Sequence, residues 1–526
     1  MRKFTMYLVA WTAALMFASP VWAATFSATY QRIASWDGTQ LGAVVLLPQG
    51  QGSGPFPLVV MPASWGAPNL EYVGRGTEMA ANGYVVVSYT SRGFFDSQGS
   101  IDIAGPDTVK DVSAVIDWAL VNTPANPKAI GVSGISYGAG LGLLAAERDP
   151  RIKAVASMST WADLLSALDA NRTPSAQALA VLGLGGAVTG RAGPLLASVD
   201  ADLLAGNYDA IVTSMTPDDA IRSPASDVSK LNANGAAILV ANSFDDGLFP
   251  PGQLVDLFQN IKSPKQMMFS QGDHATAEVP GALGLPNDVY TAVGRWFDRY
   301  LKGVQNGVEK ESVVKLRSQD NVWHGYADWS AVQAGATHYY LGGPKGLLLP
   351  TGQLAASAST GWNSSIFTAL PTVASSGIVE VSGFLQSLGQ PPAALIPLVS
   401  RLGAGVWAGP KLASAQRLDG MSMLHVTVTP SQANTSLYAY LYSVDGFGNG
   451  QLVSYKPYTL RNATPNLAVP LDVRLEANSW NIPAGNQLVL VIGTVDFRYA
   501  GVTQAGGVVS FSSPQGDPST LTVPLH

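Results

Sequence analysis

The chain has 526 residues, of which 47% are hydrophobic and 13% are charged, so it is long enough for two or three domains with their own cores. Its formal net charge of -6 provides no basic surface for the phosphates of a nucleic acid or of an anionic membrane. The lack of cysteine in this sequence excludes disulfides and thiol catalysis. We therefore expect core packing to stabilise the fold, and we expect no nucleic-acid partner.

The first residues are typical of a secretory signal peptide. Two basic residues follow the initial Met, an apolar run covers residues 7–17, and a predicted cleavage site lies after Ala23 or Ala24. The alternative is an uncleaved membrane anchor, but the run is shorter than the roughly 20 apolar residues that a span requires. We therefore predict a signal peptide at residues 1–23. We also predict an exported chain, periplasmic or extracellular, with no membrane span after cleavage.

The mature chain begins with a predicted hairpin and continues with an α/β pattern. Residues 25–47 alternate apolar and polar side chains around Asp37 and Gly38, which favours a hairpin turn. Short apolar runs then alternate with helix-like stretches such as 108–120 and 138–147, which indicates a parallel sheet with helical crossovers. The runs cover residues 58–61, 84–89, 129–133, 154–157, 237–242 and 266–269. Residues 161–234 lack strand signals, so we expect a helical cap within a catalytic domain at 24–308.

From about residue 312 onward the pattern is β throughout. Strand-like runs are separated by Gly, Pro and Asn, and they cover residues 313–316, 338–341, 424–429, 436–442, 468–474 and 488–492. This pattern predicts an antiparallel β-sandwich, which we place at residues 309–526. Residues 352–405 give weaker strand signals and are compatible with loops that cross back to the first domain.

A nucleophile-elbow motif follows one of the predicted strands. Residues 134–138 read Gly-Ile-Ser-Tyr-Gly, the G-x-S-x-G pattern, between a strand and a helix-like stretch. Small residues beside the serine allow the following helix to pack so closely that its first amides face a developing oxyanion. The motif predicts Ser136 as the nucleophile of an α/β hydrolase. The alternative is a chance cluster of Gly and Ser in a tight turn.

His274 is the predicted general base. In this fold the acid and then the histidine follow the serine in the chain, and a serine needs such a base to become nucleophilic. Of the five histidines, only His274 lies in the predicted catalytic domain, in a loop after the strand at 266–269. The other four lie in the β domain, where a histidine is usually a surface or packed residue. They are His324, His338, His425 and His526.

Two neighbouring aspartates compete for the role of the triad acid. Asp245 and Asp246 both follow the predicted strand at 237–242. We favour Asp246 because it directly precedes the Gly-Leu-Phe segment that should begin the next helix, and we keep Asp245 as the alternative. Asp273 is a poorer candidate because its side chain would have to fold back beside its neighbour His274. A solvated or loop-stabilising role suits Asp273 better.

Two residues are candidates for the oxyanion hole. The amide of Tyr137 directly follows the nucleophile, and a second donor should come from the loop after strand 58–61, which contains Trp65. Either the backbone amide or the indole N–H of Trp65 would serve. The alternative is that Trp65 only walls the pocket.

These motifs resemble the cocaine esterase and X-Pro dipeptidyl-peptidase family of serine hydrolases over nearly the whole mature chain. The resemblance extends to an Arg-Gly loop that ends in Ser-x-Gly, to an Asp-Trp pair before the elbow strand, to a boundary helix and to the opening of the second domain. In that order, these features lie at residues 91–99, 117–118, 296–303 and 323–347. The last range includes Trp323 and Trp329.

The resemblance implies a jelly-roll C-terminal domain and a triad of Ser136, Asp246 and His274. The sequence departs from the family at Ser64 and Trp65, where relatives often carry Pro-Tyr. A tyrosine hydroxyl therefore cannot be carried over as an oxyanion donor.

The predicted chemistry is acyl transfer from a carboxylic ester through an acyl-enzyme, without a metal or cofactor. The alternative is an X-Pro dipeptidyl-peptidase, which would also need acidic or amide groups to hold the free amino terminus of its substrate. The partner is therefore expected to be a small ester or a short peptide. A remote alternative is a non-catalytic binding protein, but a degenerate domain has little reason to keep serine, acid and histidine together.

Overall fold

The structure is a computed structural model that describes residues 25–526. The predicted signal peptide at residues 1–23 lies outside this range. The first elements are β1 (Phe26–Ala34), β2 (Gln40–Pro48), β3 (Phe56–Pro62), α1 (Val73–Ala81), β4 (Val85–Tyr89), α2 (Pro106–Asn122), β5 (Ala125–Ile135), α3 (Ser136–Arg148) and β6 (Ile152–Met158). Strands β1 and β2 pair in antiparallel fashion around Asp37 and Gly38, which confirms the predicted hairpin.

A mainly helical cap follows β6. Its elements are α4 (Leu164–Leu168), β7 (Asp169–Ala170), β8 (Thr173–Pro174), α5 (Ala176–Thr189), α6 (Pro194–Ala205), α7 (Tyr208–Met215), α8 (Asp219–Arg222) and α9 (Val228–Asn234). The predicted helical cap is confirmed, although β7 and β8 form a short antiparallel ladder that the sequence pattern did not indicate. Leu179, Leu196 and Met215 are buried in a core that the cap shares with the domain below. Apolar packing therefore holds the cap over that domain.

The catalytic domain continues with β9 (Ala237–Ser243), α10 (Gly252–Asn260), β10 (Lys265–Ser270), α11 (Val279–Ala282), α12 (Asp288–Tyr300), β11 (Val314–Arg317) and β12 (Trp323–Tyr326). Ten strands form one sheet in the order β1-β2-β4-β3-β5-β6-β9-β10-β11-β12. The strands from β4 to β11 in this order are parallel, whereas β1, β2 and β12 pair in antiparallel fashion.

One strand that we predicted for the C-terminal domain belongs to the catalytic domain. Residues 313–316 were predicted to begin the sandwich, but β11 pairs in parallel with β10, with Met267 opposite Val314. The backbone groups along the outer edge of β10 need partners, and β11 supplies them. Residue alternation predicts a strand without indicating which sheet edge it will join.

Both faces of the sheet are covered by helices. Helices α2 and α3 pack on one face together with the cap, and α1 and α12 pack on the other. Strand β4 is buried at every residue, as expected for a parallel strand between two helical layers. The α/β-hydrolase architecture is confirmed. Within residues 25–526, no helix combines the length and apolar character needed to cross a membrane.

The C-terminal domain is rich in strands. Its elements are α13 (Trp329–Val332), β13 (Thr337–Leu341), β14 (Gly352–Ala355), β15 (Asn363–Phe367), α14 (Ser382–Ser387), β16 (Ala393–Leu395), β17 (Ala404–Ala408), β18 (Gln416–Gly420), β19 (Met423–Pro430), β20 (Thr435–Val444), β21 (Asn449–Leu460), β22 (Val469–Arg474), β23 (Asn478–Ile482), β24 (Gln487–Gly493), β25 (Val508–Ser512) and β26 (Thr520–Val523). Antiparallel ladders dominate, and a parallel contact between β14 and β17 links two groups of strands. Trp407 and Trp480 are fully buried in the core of this domain. The predicted β-sandwich is confirmed.

Residues 377–389, here named the strap, leave the sandwich and lie against the catalytic domain. Gly383 approaches so closely that a β-carbon there would lie 2.6 Å from Cβ of Asp273. The Val379 amide donates to Oε1 of Gln177 in the cap helix α5 over 3.0 Å. The expectation that loops within 352–405 cross back to the first domain is therefore confirmed.

Candidate active site

Ser136 occupies a sharp turn between β5 and α3. Its φ is +56°, in the left-handed region that a serine adopts only where the surroundings hold it. A β-carbon on Gly138 would lie 1.9 Å from the carbonyl oxygen of Pro62, and one on Gly134 would lie 2.5 Å from the carbonyl carbon of Gly138. Both positions of the motif therefore require glycine, because the helix packs directly against the turn and against β3.

The carboxyl ends of three parallel strands bring the predicted triad residues together. Ser136 follows β5, Asp246 follows β9 and His274 follows β10, and these ends share one edge of the sheet. Nε2 of His274 lies 2.8 Å from Oγ of Ser136, and Nδ1 of His274 lies 2.9 Å from Oδ2 of Asp246. A continuous hydrogen-bonded path therefore links the serine hydroxyl, the imidazole and one carboxylate.

Asp246 is held rigidly and is fully buried. Its Oδ1 accepts hydrogen bonds from the amides of Leu248 and Phe249 over 3.0 and 2.7 Å, which leaves Oδ2 for the histidine. The adjacent Asp245 faces a different group, Nη1 of Arg498 in the C-terminal domain, at 3.3 Å. Of the two competing aspartates, only Asp246 contacts His274.

Asp273 is a buried bridge between two loops. Its Oδ1 accepts the amide of Gly247 over 2.7 Å and the amide of His274 over 2.8 Å. It therefore joins the loop that carries Asp246 to the loop that carries the histidine. Our preference for a loop-stabilising role agrees with this geometry, whereas a solvated side chain does not, because Asp273 is fully buried.

The charges around His274 favour its protonated form. Burial by itself lowers the pKa of the imidazole, but the carboxylate of Asp246 outweighs burial. Together with Glu380 and Asp273, Asp246 raises the pKa of His274 to about 9. The free imidazole that a general base needs is therefore favoured by alkaline conditions.

Three glutamates near the triad have no counterpart in our sequence predictions. Burial raises the pKa values of Glu71, Glu278 and Glu380 to about 7 in each case. Glu71 accepts hydrogen bonds from both the amide and the hydroxyl of Ser64, at 2.8 and 2.6 Å, so it holds the loop that precedes Trp65. No local motif marks these residues: Glu71 and Glu278 are single glutamates close in sequence to Trp65 and His274, and only Glu380 comes from the C-terminal domain.

Tyr137 and Trp65, the two oxyanion candidates, differ in which N–H groups are free to donate a hydrogen bond. Tyr137 is the second residue of α3, so its amide has no acceptor one turn earlier within the helix. The indole N–H of Trp65 donates to the carbonyl of Leu182 over 2.9 Å. That bond leaves the backbone amide as the available donor of Trp65.

A cavity of about 50 Å³ opens beside Ser136 beneath the cap. Its walls are apolar, and they include the rings of Trp65, Trp161 and Phe249. Trp65 therefore also forms part of the pocket wall, as the alternative reading of this residue proposed. Among residues 25–526, no group of three His, Cys, Asp or Glu side chains has the arrangement of a metal site.

Two family descriptions match the chain. Residues 37–276 match the X-Pro dipeptidyl-peptidase (S15 family), and residues 306–518 match the X-Pro dipeptidyl-peptidase C-terminal non-catalytic domain. Together these matches extend over both domains of the structure.

Two curated proteins are similar over parts of the chain. A putative Xaa-Pro dipeptidyl-peptidase of Bacillus anthracis is 23% identical over 292 residues, which are 50% of this chain and 46% of that protein. An uncharacterised protein of Pseudomonas aeruginosa is 32% identical over 127 residues, or 24% of this chain and 34% of that protein. The matched regions thus cover between a third and a half of these relatives.

Solved structures share the whole two-domain fold. An aminopeptidase from a marine sediment archaeon of the Thaumarchaeota has a TM-score of 0.74 at 14% identity, and the likeness covers 96% of this chain and 97% of that one. An alpha-amino acid ester hydrolase has a TM-score of 0.72 at 14% identity, over 97% and 99% of the two chains. A CocE/NonD family hydrolase from Staphylococcus aureus also has a TM-score of 0.72 at 14% identity, over 96% and 97%. At these identities the likeness concerns the fold.

Proposed function

Because the chain belongs to the cocaine esterase and X-Pro dipeptidyl-peptidase family of serine hydrolases, we propose that it hydrolyses carboxylic esters through an acyl-enzyme on Ser136. The observation that carries this proposal is the hydrogen-bonded path from Asp246 through His274 to Ser136, with spacings of 2.9 and 2.8 Å. This is the geometry that converts a serine hydroxyl into a nucleophile.

The proposed reaction has two steps. Oγ of Ser136 attacks the ester carbonyl while Nε2 of His274 takes the hydroxyl proton, and Asp246 stabilises the resulting imidazolium. The amides of Tyr137 and Trp65 donate to the oxyanion. The carbon–oxygen bond to the alcohol then breaks, and His274 returns the proton to the departing alkoxide. Water, activated by the same histidine, releases the acid and restores the serine.

The pocket chemistry favours an ester over an X-Pro peptide. A dipeptidyl-peptidase must hold the charged amino terminus of its substrate near the scissile bond, and the cavity beside Ser136 has no carboxylate or amide side chain among its lining residues. Dipeptidyl-peptidase activity is the second candidate, because the family descriptions that match both domains name it.

A direct assay separates the two candidates. The purified mature protein is given p-nitrophenyl acetate and Ala-Pro p-nitroanilide in parallel, with Ser136→Ala as the control. We expect ester turnover that the control abolishes, and no anilide cleavage. Efficient anilide cleavage would make the protein an exopeptidase, and failure with both substrates would remove the esterase proposal.

We also propose that the chain is exported and that cleavage after Ala23 or Ala24 removes its signal peptide. Support comes from the basic start, the apolar run at residues 7–17 and the small residues before the cleavage site. The amino-terminal sequence of the protein recovered from outside the cytoplasm tests this. An intact initial Met in that material would contradict it.

A further inference from the structure

We propose that the cavity beneath the cap is an acyl-binding site for uncharged, short aliphatic acyl groups of about two to four carbons. This assignment rests on the proposed ester hydrolysis and adds its substrate class. The cavity begins at Ser136 and extends between the catalytic domain and the cap helices α4 to α7.

No polar side-chain group of the aromatic walls is free to bind a charged substrate. The cavity's aromatic walls carry three groups able to hydrogen-bond, and each is engaged elsewhere. The indole of Trp65 donates to Leu182, the indole of Trp161 donates to the carbonyl of Arg222 over 2.7 Å, and the Tyr137 hydroxyl accepts the amide of Ala104 over 2.7 Å.

The remaining walls are aliphatic or aromatic, apart from one glycine. They come from helices α4 to α7 of the cap and from the loops that carry Ile103 and Phe249. An ammonium or carboxylate in this space would lose its water and gain no partner, which is strongly unfavourable. The lining therefore selects an uncharged acyl group.

The size of the cavity sets the length of the acyl chain. Its volume is about 50 Å³. Benzene occupies an apolar cavity of roughly 150 Å³ in a well-studied case. A ring or a long chain therefore exceeds the space available.

The inner wall is also held in place. The Trp65 ring packs edge-on against Phe94 and Tyr137 with centroids 5.0 and 5.3 Å apart, and its indole is anchored to the cap. Such packing resists the displacement that a larger acyl group would require.

One experiment tests the exclusion of charge. Ethyl propionate and ethyl glycinate have nearly the same shape, and they differ in a methyl group against an ammonium group. At about pH 7 we expect the propionate to have the higher kcat/KM by about 100-fold, after each rate is divided by that of its hydroxide-catalysed hydrolysis. Equal values, or a preference for the glycinate, would overturn the assignment.

A second experiment tests the size limit with a matched pair of variants. Met215 and Ile211 are both buried on α7, at 4% and 1% exposure, but only Met215 lines the cavity. Wild type should prefer p-nitrophenyl butyrate over the octanoate by at least about tenfold in kcat/KM. Met215→Ala should shift this ratio toward the octanoate by about tenfold, whereas Ile211→Ala should leave it unchanged.

The outcomes separate the two proposals. If wild type hydrolyses short esters but also accepts octanoate equally well, ester hydrolysis stands and the assignment of the cavity fails. If the two alanine variants shift the ratio alike, cap destabilisation explains the shift and the assignment also fails. If no ester is hydrolysed, the proposed function fails, and the acyl site fails with it.

Discussion

The two environments that meet at His274 differ in chemistry. Toward Ser136 lies an apolar cavity whose aromatic side chains have their hydrogen-bonding groups engaged elsewhere. Toward Asp246 lies a cluster of acids that includes the buried Asp273 and the half-buried Glu380. The cavity has an uncharged lining, whereas the acids act on the charge of His274. On the proposed function, the cavity selects the substrate and the acids control the proton of His274, and mutations should separate these two effects.

The acid cluster is completed by the other domain. Arg498 is 1% exposed, and its guanidinium lies 3.3 Å from Asp245 and contacts the hydroxyl of Tyr455. The charges of Asp245 and Asp273 both act on Arg498 and stabilise its protonated form. The C-terminal domain therefore compensates acids that flank the triad, in addition to supplying the strap.

The largest effect is expected where the two environments join. Asp246→Asn should lower kcat by about 10³- to 10⁴-fold, because the amide no longer stabilises the imidazolium or selects its tautomer. Asp245→Asn is the matched control: it lowers stability because it leaves Arg498 buried without its partner, but the folded protein should retain most of the activity. Steady-state kinetics with p-nitrophenyl acetate measures both variants. Equal losses would contradict the assignment of Asp246 as the acid.

The next largest effect is expected in the acid cluster. Arg498→Met should lower the free energy of unfolding by about 3–5 kcal/mol, since it leaves Asp245 buried without its partner. Adding Asp245→Asn should recover part of this loss, because the unpaired charge is then gone. Urea denaturation followed by tryptophan fluorescence measures the change. A double variant no more stable than Arg498→Met would show that the arginine acts through packing alone.

The pH dependence sharpens the contrast between the two environments. His274 must be neutral to act as a base, and its neighbours raise its pKa to about 9, so protonation inhibits the enzyme below that pH. We expect kcat/KM to rise about tenfold per pH unit between roughly pH 7 and 9 and then to level off. Glu380→Gln removes one charge that raises this pKa and should move the rise to lower pH. A profile that is flat across this range would refute the account of the charges.

The smallest effect is expected on the apolar wall. Trp65→Phe keeps an aromatic ring but removes the second ring of the indole and its hydrogen bond to Leu182. This change should weaken substrate binding by about 1 kcal/mol and raise KM about fivefold while kcat is retained. If the indole were instead the oxyanion donor, kcat would fall by about 10²- to 10³-fold. A rise in KM alone indicates that Trp65 acts as a pocket wall, whereas a fall in kcat indicates that its indole is the oxyanion donor.

Local sequence patterns predicted the fold class and the candidate site residues, but they did not predict which sheet β11 joins. The G-x-S-x-G turn is encoded by adjacent residues, and the steric need for Gly134 and Gly138 makes the pattern specific. His274 could be selected because the other four histidines follow residue 308, the predicted end of the catalytic domain, although the structure places His324 on β12 of the catalytic sheet. The choice of Asp246 depended on its place before the next helix, and the structure puts that residue beside His274.

The surroundings of the site could not be predicted because they depend on long-range packing. Arg498 lies 253 residues beyond Asp245 in the chain, and Glu380 acts on His274 from the strap of the C-terminal domain. The same limit explains β11: the alternation of apolar and polar residues predicted a strand, but it did not predict that this strand would pair with β10. Sequence periodicity predicts whether a residue is buried or exposed. It does not predict which residues of other elements will contact it, because those contacts form only when the elements pack together.

The central claim is that Ser136 carries the acyl group, and trapping that intermediate tests it most directly. The protein is mixed with p-nitrophenyl butyrate, quenched with acid during turnover, digested and analysed by mass spectrometry, with Ser136→Ala treated in parallel. We predict a butyryl group on the peptide that contains Ser136 and none at that site in the variant. Turnover with the butyryl group on another residue, or an unmodified Ser136 under conditions that accumulate the intermediate, would contradict the account.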